Sequence, residues 1–164
     1  MKKIGIITYH FANNYGAVLQ CFALQQFLEE KGYDVTVFDF VSKKQRNNND
    51  IKKHGNDIRS LVANICLLPF RCQIKKKHDR YRKFCQENLN TTIHFSNNAE
   101  LENYIEENNY DYIISGSDQV INPNISDFED AFLFPFKTKA KKITYAASTG
   151  NATTEDIKKI EKYL

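Results

Sequence analysis

Residues 3–32 read KIGIITYHFANNYGAVLQCFALQQFLEEKG, and this stretch decides the fold. Ile4, Gly5, Ile6, Ile7 and Thr8 do not alternate apolar with polar, which is the pattern of a parallel strand covered on both faces. Residues 9–15 are polar, aromatic and Asn-rich, and they end the strand. Gly16 opens a helix that runs to about Lys31, and Gly32 stands where a left-handed C-terminal cap belongs. Ala17, Val18, Leu19, Cys21, Phe22, Ala23, Leu24, Phe27 and Leu28 spread over a wide arc of that helix, so it packs against a sheet. The loop over residues 9–16 therefore lies at the carboxyl end of a central strand, where open α/β sheets bind ligands.

The loop is not a dinucleotide fingerprint, because it holds Gly16 alone where G-x-G-x-x-G needs three glycines. It is not a phosphate-cradling P-loop, since no Gly-Lys-Ser/Thr follows. The amides of Asn13 and Asn14 and the rings of Tyr9, Phe11 and Tyr15 suit a neutral, polyhydroxylated ligand: amides both donate and accept, and rings stack on sugar faces. The alternative is purely structural, with Asn13 and Asn14 tolerating turn geometry and Tyr15 stapling the helix.

A chain of 164 residues with 41% hydrophobic and 26% charged content suffices for one globular domain with a real core. A net charge of +3 gives no argument for nucleic acid. The cysteines, Cys21, Cys66, Cys72 and Cys85, form no C-x-x-C pair, which predicts reduced thiols and a cytoplasmic protein. Met1-Lys2-Lys3 leads directly into the strand, without the apolar stretch of a signal peptide. No run approaches the ~18 apolar residues of a membrane span. The sequons at Asn90, Asn124 and Asn151 are then chance matches.

A second strand is expected over residues 35–40, giving a right-handed βαβ crossover. Asp39 ends it at the place of a ribose-binding acid, but without the glycines a solvated strand end is the default. Residues 41–57 are polar and predict a mobile loop, which includes His54. Residues 58–70 read as an apolar helix that Pro69 ends. Residues 71–89 follow as a basic helix with Ile74, His78, Tyr81, Cys85 and Leu89 on its inner stripe. Arg71, Lys75, Lys76, Lys77, Arg80, Arg82 and Lys83 crowd this helix, with only Asp79 opposing. Such a face is either simply solvated, or it meets an anionic bilayer or a lipid-linked pyrophosphate. Further strands are expected near residues 111–115 and 143–147, making four parallel strands with the first one central. Phe128, Phe132, Phe134 and Phe136 pin the irregular segment between the last two. Thr153 or Thr154 caps a final helix with Ile157, Ile160 and Leu164 inside.

In a doubly wound sheet the loops 9–16, 116–123 and 148–151 open on one rim. They bring amides, hydroxyls, rings, Asp118 and His10, but no Arg and no Lys. Arg46, Arg59, Arg71, Arg80 and Arg82 all fall between the second and third of the expected strands.

Three motifs then stand out in order: Asn13-Asn14-Tyr15-Gly16-Ala17-Val18-Leu19-Gln20, Gly116-Ser117-Asp118-Gln119-Val120 and Tyr145-Ala146-Ala147-Ser148. Together they closely resemble the polysaccharide pyruvyl transferase family, over the N-terminal half of a member. Ile121 departs from the family's usual Trp, and Thr149 from its usual Phe. The resemblance implies a doubly wound, mostly parallel, Rossmann-like α/β domain over residues 1–164, one half of a glycosyltransferase-B-like fold. It implies transfer of the enolpyruvyl unit of phosphoenolpyruvate to a sugar as a pyruvate ketal, with no metal and no cofactor, in capsular or other surface-polysaccharide synthesis. That chemistry needs a base for the hydroxyl, an acid for the methylene carbon and cations for carboxylate and phosphate. Asp118, in the second motif, is the candidate base or the group that orients the sugar; His10, outside the motifs, is the candidate proton shuttle because an ordinary imidazole exchanges protons near neutrality. The resemblance makes Asn13, Asn14, Tyr15, Gly16, Ser117, Gln119, Tyr145 and Ser148 the substrate contacts. With no cation on the rim, donor binding is expected in a C-terminal half that this chain lacks, and the chain alone is expected not to catalyse transfer. The implied partner is a sugar or lipid-linked oligosaccharide acceptor, met in the cytoplasm at the inner membrane face. Two rivals stand beside it. One is a sugar-binding module without catalysis. The other is a flavodoxin-like receiver, which would need acids after the first strand, where Thr8-Tyr9-His10 has none.

Overall fold

The computed structural model describes residues 1–52 and 58–163. Its centre is a parallel sheet in the order β3-β2-β1-β4-β5. The strands are β1 (Lys3–Ile7), β2 (Asp34–Phe40), β3 (Thr91–Phe95), β4 (Tyr112–Gly116) and β5 (Lys141–Tyr145). The helices are α1 (Tyr15–Glu30), α2 (Lys43–Asn49), α3 (Ile58–Leu67), α4 (Arg71–Asn88), α5 (Asn98–Asn108) and α6 (Thr154–Lys158).

The first strand is central, as its two-faced apolar sequence requires: Ile4 pairs with Val35 on one side and Tyr112 on the other. One face carries Ile4, Ile6, Val35 and Val37 against Cys21 and Leu24 of α1 and Leu89. The other carries Ile7, Phe38, Phe40 and Ile113 against Leu101 and Ile105 of α5 and the buried Phe132, Phe134 and Phe136. The sheet is thus doubly wound. Gly5 is obligatory for this packing, because the ring of Phe38 occupies the place of a Cβ there. Strand order reverses between β1 and β4, and the crevice at such a switch point is where ligands bind.

The structure corrects the expected elements in three places. A fifth strand, β3, joins the sheet edge with Ile93 70% exposed and only Phe95 buried. An edge strand written Thr-Thr-Ile-His-Phe buries too little to announce itself by pattern. Part of the expected mobile loop is helix α2, while residues 53–57, with His54, lie outside the described residues. Polar side chains hold α2 in place of apolar burial. Ser42 and Gln45 form a capping box, buried Gln45 donates to Asp127 O at 2.6 Å, and Asn48 and Asn49 both bond the Asp127 carboxylate. Finally, the strand expected over 143–147 is β5 at Lys141–Tyr145, an edge strand with all of its residues exposed. The αL cap at Gly32 (φ 82°) and the capping box of Thr153 with Asp156 are as expected.

Candidate functional site

Helix α4 makes the site, and its direction explains how. Phe84 meets Phe22 at 5.6 Å between ring centroids, and Gln25 donates to Asn88 O at 3.3 Å, so the end of α4 lies beside the end of α1. Tyr81 meets Tyr15, the first residue of α1, at 4.7 Å. The two helices therefore run parallel, and residues 71–80 of α4 continue past the start of α1. At 1.5 Å per residue that overhang reaches about 15 Å beyond the carboxyl rim of the sheet. The overhang, α2 and the loop after β1 enclose a cavity of about 760 Å³. His10, Asn13, Asp39, Arg46, Lys75, His78, Arg82 and His94 are among its lining residues.

Four of these side chains form one polar chain. His10 Nε2 lies 3.0 Å from Asp39 Oδ1, and its Nδ1 lies 3.2 Å from Thr8 O. Both partners are acceptors, so a doubly protonated ring satisfies both. His94 Nδ1 faces Asp39 Oδ2 at 3.4 Å, and Arg46 Nη2 donates to His94 Nε2 at 2.6 Å. That donation makes Nε2 an acceptor and puts the His94 proton on Nδ1, toward Asp39. Burial alone would raise the Asp39 carboxyl, but the hydrogen bond and charge of His10, helped by His94, hold it below the usual range. Asp39 is therefore neither a ribose ligand nor a free strand end: it is the anion that joins two imidazoles. The imidazole nitrogens facing it are spent on that carboxylate. Among the described residues no group of three or more His, Cys, Asp or Glu is arranged around a metal ion. Burial, with the charges of Arg82 and Lys77, holds His78 below the ordinary imidazole value, so it lines the cavity as a neutral ring.

The other two polar loops are knitted to each other and to α1. Ser117 donates from N and Oγ to Gln20 Oε1, at 3.0 and 3.1 Å, and Gln20 Nε2 donates to Thr8 Oγ1 at 2.8 Å. Ser148 N donates to Asp118 O at 2.9 Å, and Asn122 Nδ2 donates to Gln119 Oε1 and Asn151 Oδ1. Gly116 (φ 121°) lies so close to the Tyr145 carbonyl that no Cβ fits. One Asp118 oxygen accepts the Gln119 amide at 2.7 Å, as a turn cap would. Burial raises the Tyr9 phenol far above its usual range, with Asp118 and Asp127 adding to the effect, which keeps it from serving as a base.

The family model described as "Polysaccharide pyruvyl transferase" matches residues 14–163. The chain belongs to this family. No curated protein and no solved structure matches it.

The site residues that the family resemblance suggested divide into two groups. His10 and Asn13 line the cavity, just before the matched span begins. Asn14 caps α1, its Oδ1 accepting Gly16 N at 2.8 Å, and Tyr15 stacks on Tyr81 with more than half its surface exposed. Ser117, Asp118, Gln119 and Ser148 form the neighbouring hydrogen-bonded platform, and Tyr145 is exposed on β5; none of these lines the cavity. The expectation that no cation reaches the rim is corrected by the cavity lining. Arg46, Lys75 and Arg82 reach it because α2 and the overhang of α4 fold back over the strand ends. Sequence reasoning also missed Asp39, His94 and the site role of His78. The available signal was the i, i+3/i+4, i+7 spacing of Lys75, His78, Asp79 and Arg82, which puts them on one helix face.

Proposed function

We propose that this domain acts in polysaccharide pyruvyl transfer, and that its cavity receives phosphoenolpyruvate. The observation that carries the reading is the convergence of Arg46, Lys75 and Arg82 with the His10–Asp39 pair at the carboxyl rim of a family member. A carboxylate and a phosphate within a few ångströms need fixed cations, and guanidinium forks match both groups. Arg46 and Arg82 are the anion clamps, and Lys75 adds a point charge.

The reaction adds one sugar hydroxyl oxygen to C2 of the enol while the methylene carbon takes a proton. A second hydroxyl oxygen then replaces phosphate at C2, and its proton leaves with the phosphate. The ketal and inorganic phosphate account for every atom. His10 is the proton store for the first step. Charged, it satisfies Thr8 O and Asp39 together; after giving up one proton it keeps one of those bonds. Asp39 positions the ring, while Arg46 holds His94 on the far side of the same carboxylate. Asp118, at the adjoining platform with Ser117, Gln119 and Ser148, orients or deprotonates the acceptor hydroxyl, and the sugar stacks toward Tyr145. The acceptor is a sugar or lipid-linked oligosaccharide of surface-polysaccharide synthesis.

Calorimetric titration with phosphoenolpyruvate tests the donor assignment. Saturable binding is expected, weakened at least about tenfold by Arg82→Ala or Arg46→Ala, since a lost charge-assisted contact is worth ~1.5–3 kcal/mol. No binding by the wild-type chain, or equal binding by both variants, contradicts it.

A further inference from the structure

A surface helix of a soluble domain turns its apolar stripe to the core. Helix α3 does the reverse. Ile58, Leu61, Val62 and Ile65, spaced i, i+3, i+4 and i+7, are 80%, 61%, 52% and 56% exposed. Its less exposed side carries Ser60, Ala63, Asn64 and Leu67, and no residue of the helix is buried. The outward stripe continues through the turn Leu68–Phe70, where Leu68 and Phe70 are 54% and 55% exposed. Next in the chain come Arg71, Lys75, Lys76, Lys77 and Arg80 of α4, and from residue 58 to 83 the only acid is Asp79.

We infer that α3 and the turn after it lie flat in the surface of an anionic bilayer. The apolar stripe enters the acyl boundary, and Arg71, Lys76, Lys77 and Arg80, which do not line the cavity, meet headgroup phosphates. An outward apolar stripe beside dense positive charge is the combination that interfacial helices use. The charge selects the occupant. In an isologous pair of copies each patch meets its own image, which would set Lys75, Lys76 and Lys77 against the same cations. No described helix is long and apolar enough to cross a membrane, so the segment lies on the surface without spanning it. The overhang of α4 that lines the cavity is the part that would face the lipid, so the site would open next to the membrane. The inference does not depend on the reaction assigned above.

The chain contains no tryptophan, so a single one reports its own surroundings. Phe70→Trp places it in the patch. Phe27→Trp places it at an equally exposed position (56%) at the far end of α1, the end beside Asn88. Each variant is mixed with phosphatidylcholine vesicles with or without phosphatidylglycerol. With phosphatidylglycerol, the Phe70→Trp emission should shift to the blue and be quenched by lipids brominated in the acyl chain. Phe27→Trp should stay unmoved, and raised salt should weaken the response about tenfold or more. Adding Leu61→Ser and Ile65→Ser, both exposed and so compatible with folding, should weaken partitioning roughly a hundredfold. The inference is overturned if Phe70→Trp ignores anionic vesicles or responds equally to neutral ones. It is also overturned if the emission shifts with protein concentration alone, which would make a second copy the occupant.

Discussion

Asp39 sits one residue before the end of β2 with an imidazole against each of its oxygens. Its folded pKa is depressed, so its contribution to stability is present above the ordinary carboxylate value of about 4 and is lost as pH falls through the lower folded value. Asp39→Asn should therefore destabilise the domain by about 1 kcal/mol near neutral pH, discounted for a side chain that is about a third exposed. Urea melts of the two proteins should converge as pH drops below that range, and a gap that widens there would contradict the assignment. Gly5 makes the opposite kind of demand, for space. Gly5→Ala should cost on the order of 3 kcal/mol, because the fully buried ring of Phe38 stands where the new Cβ would be. The need for a residue without a Cβ there could not be seen in KIGII, since the ring that fills the gap comes from a different strand.

At the scale of elements, what the sequence reveals depends on what holds each piece. β1 and β2 bury apolar side chains and were legible from residues 3–40; α1 was legible too, but it buries a narrower face than expected, Ala17, Val18, Cys21 and Leu24, and leaves Leu19, Ala23 and Phe27 exposed. The helix over residues 71–88 was equally plain, though its sequence does not state where its first half would lie. Helix α2 is held by amides and a capping box, chemistry that reads like a loop. Gln45→Ala should therefore cost about 2 kcal/mol in denaturant unfolding, because it strands Asp127 O and the Ser42 amide in buried surroundings. If it is neutral, α2 is not anchored as described. The loss should also reduce donor affinity, since α2 presents Arg46 to the cavity.

At the scale of the whole molecule, the sequence put the polar loops at the carboxyl rim of the sheet, and the cavity opens beside the loop after β1 at that rim. The charge inventory failed, because it followed the order of the chain, whereas cations reach the rim through α2 and α4. The central claim is that phosphoenolpyruvate binds where Arg46, Arg82 and the His10–Asp39–His94 chain meet. The chain has 4 histidines, so their ring nitrogens can be followed one by one by nitrogen-15 NMR during a titration. Phosphoenolpyruvate should move the His10 and His94 signals together and saturably, and Arg82→Ala should shift the midpoint at least about tenfold higher. If both signals stay fixed while the ligand binds, or if no binding occurs at millimolar ligand, the donor site is elsewhere and the account is wrong.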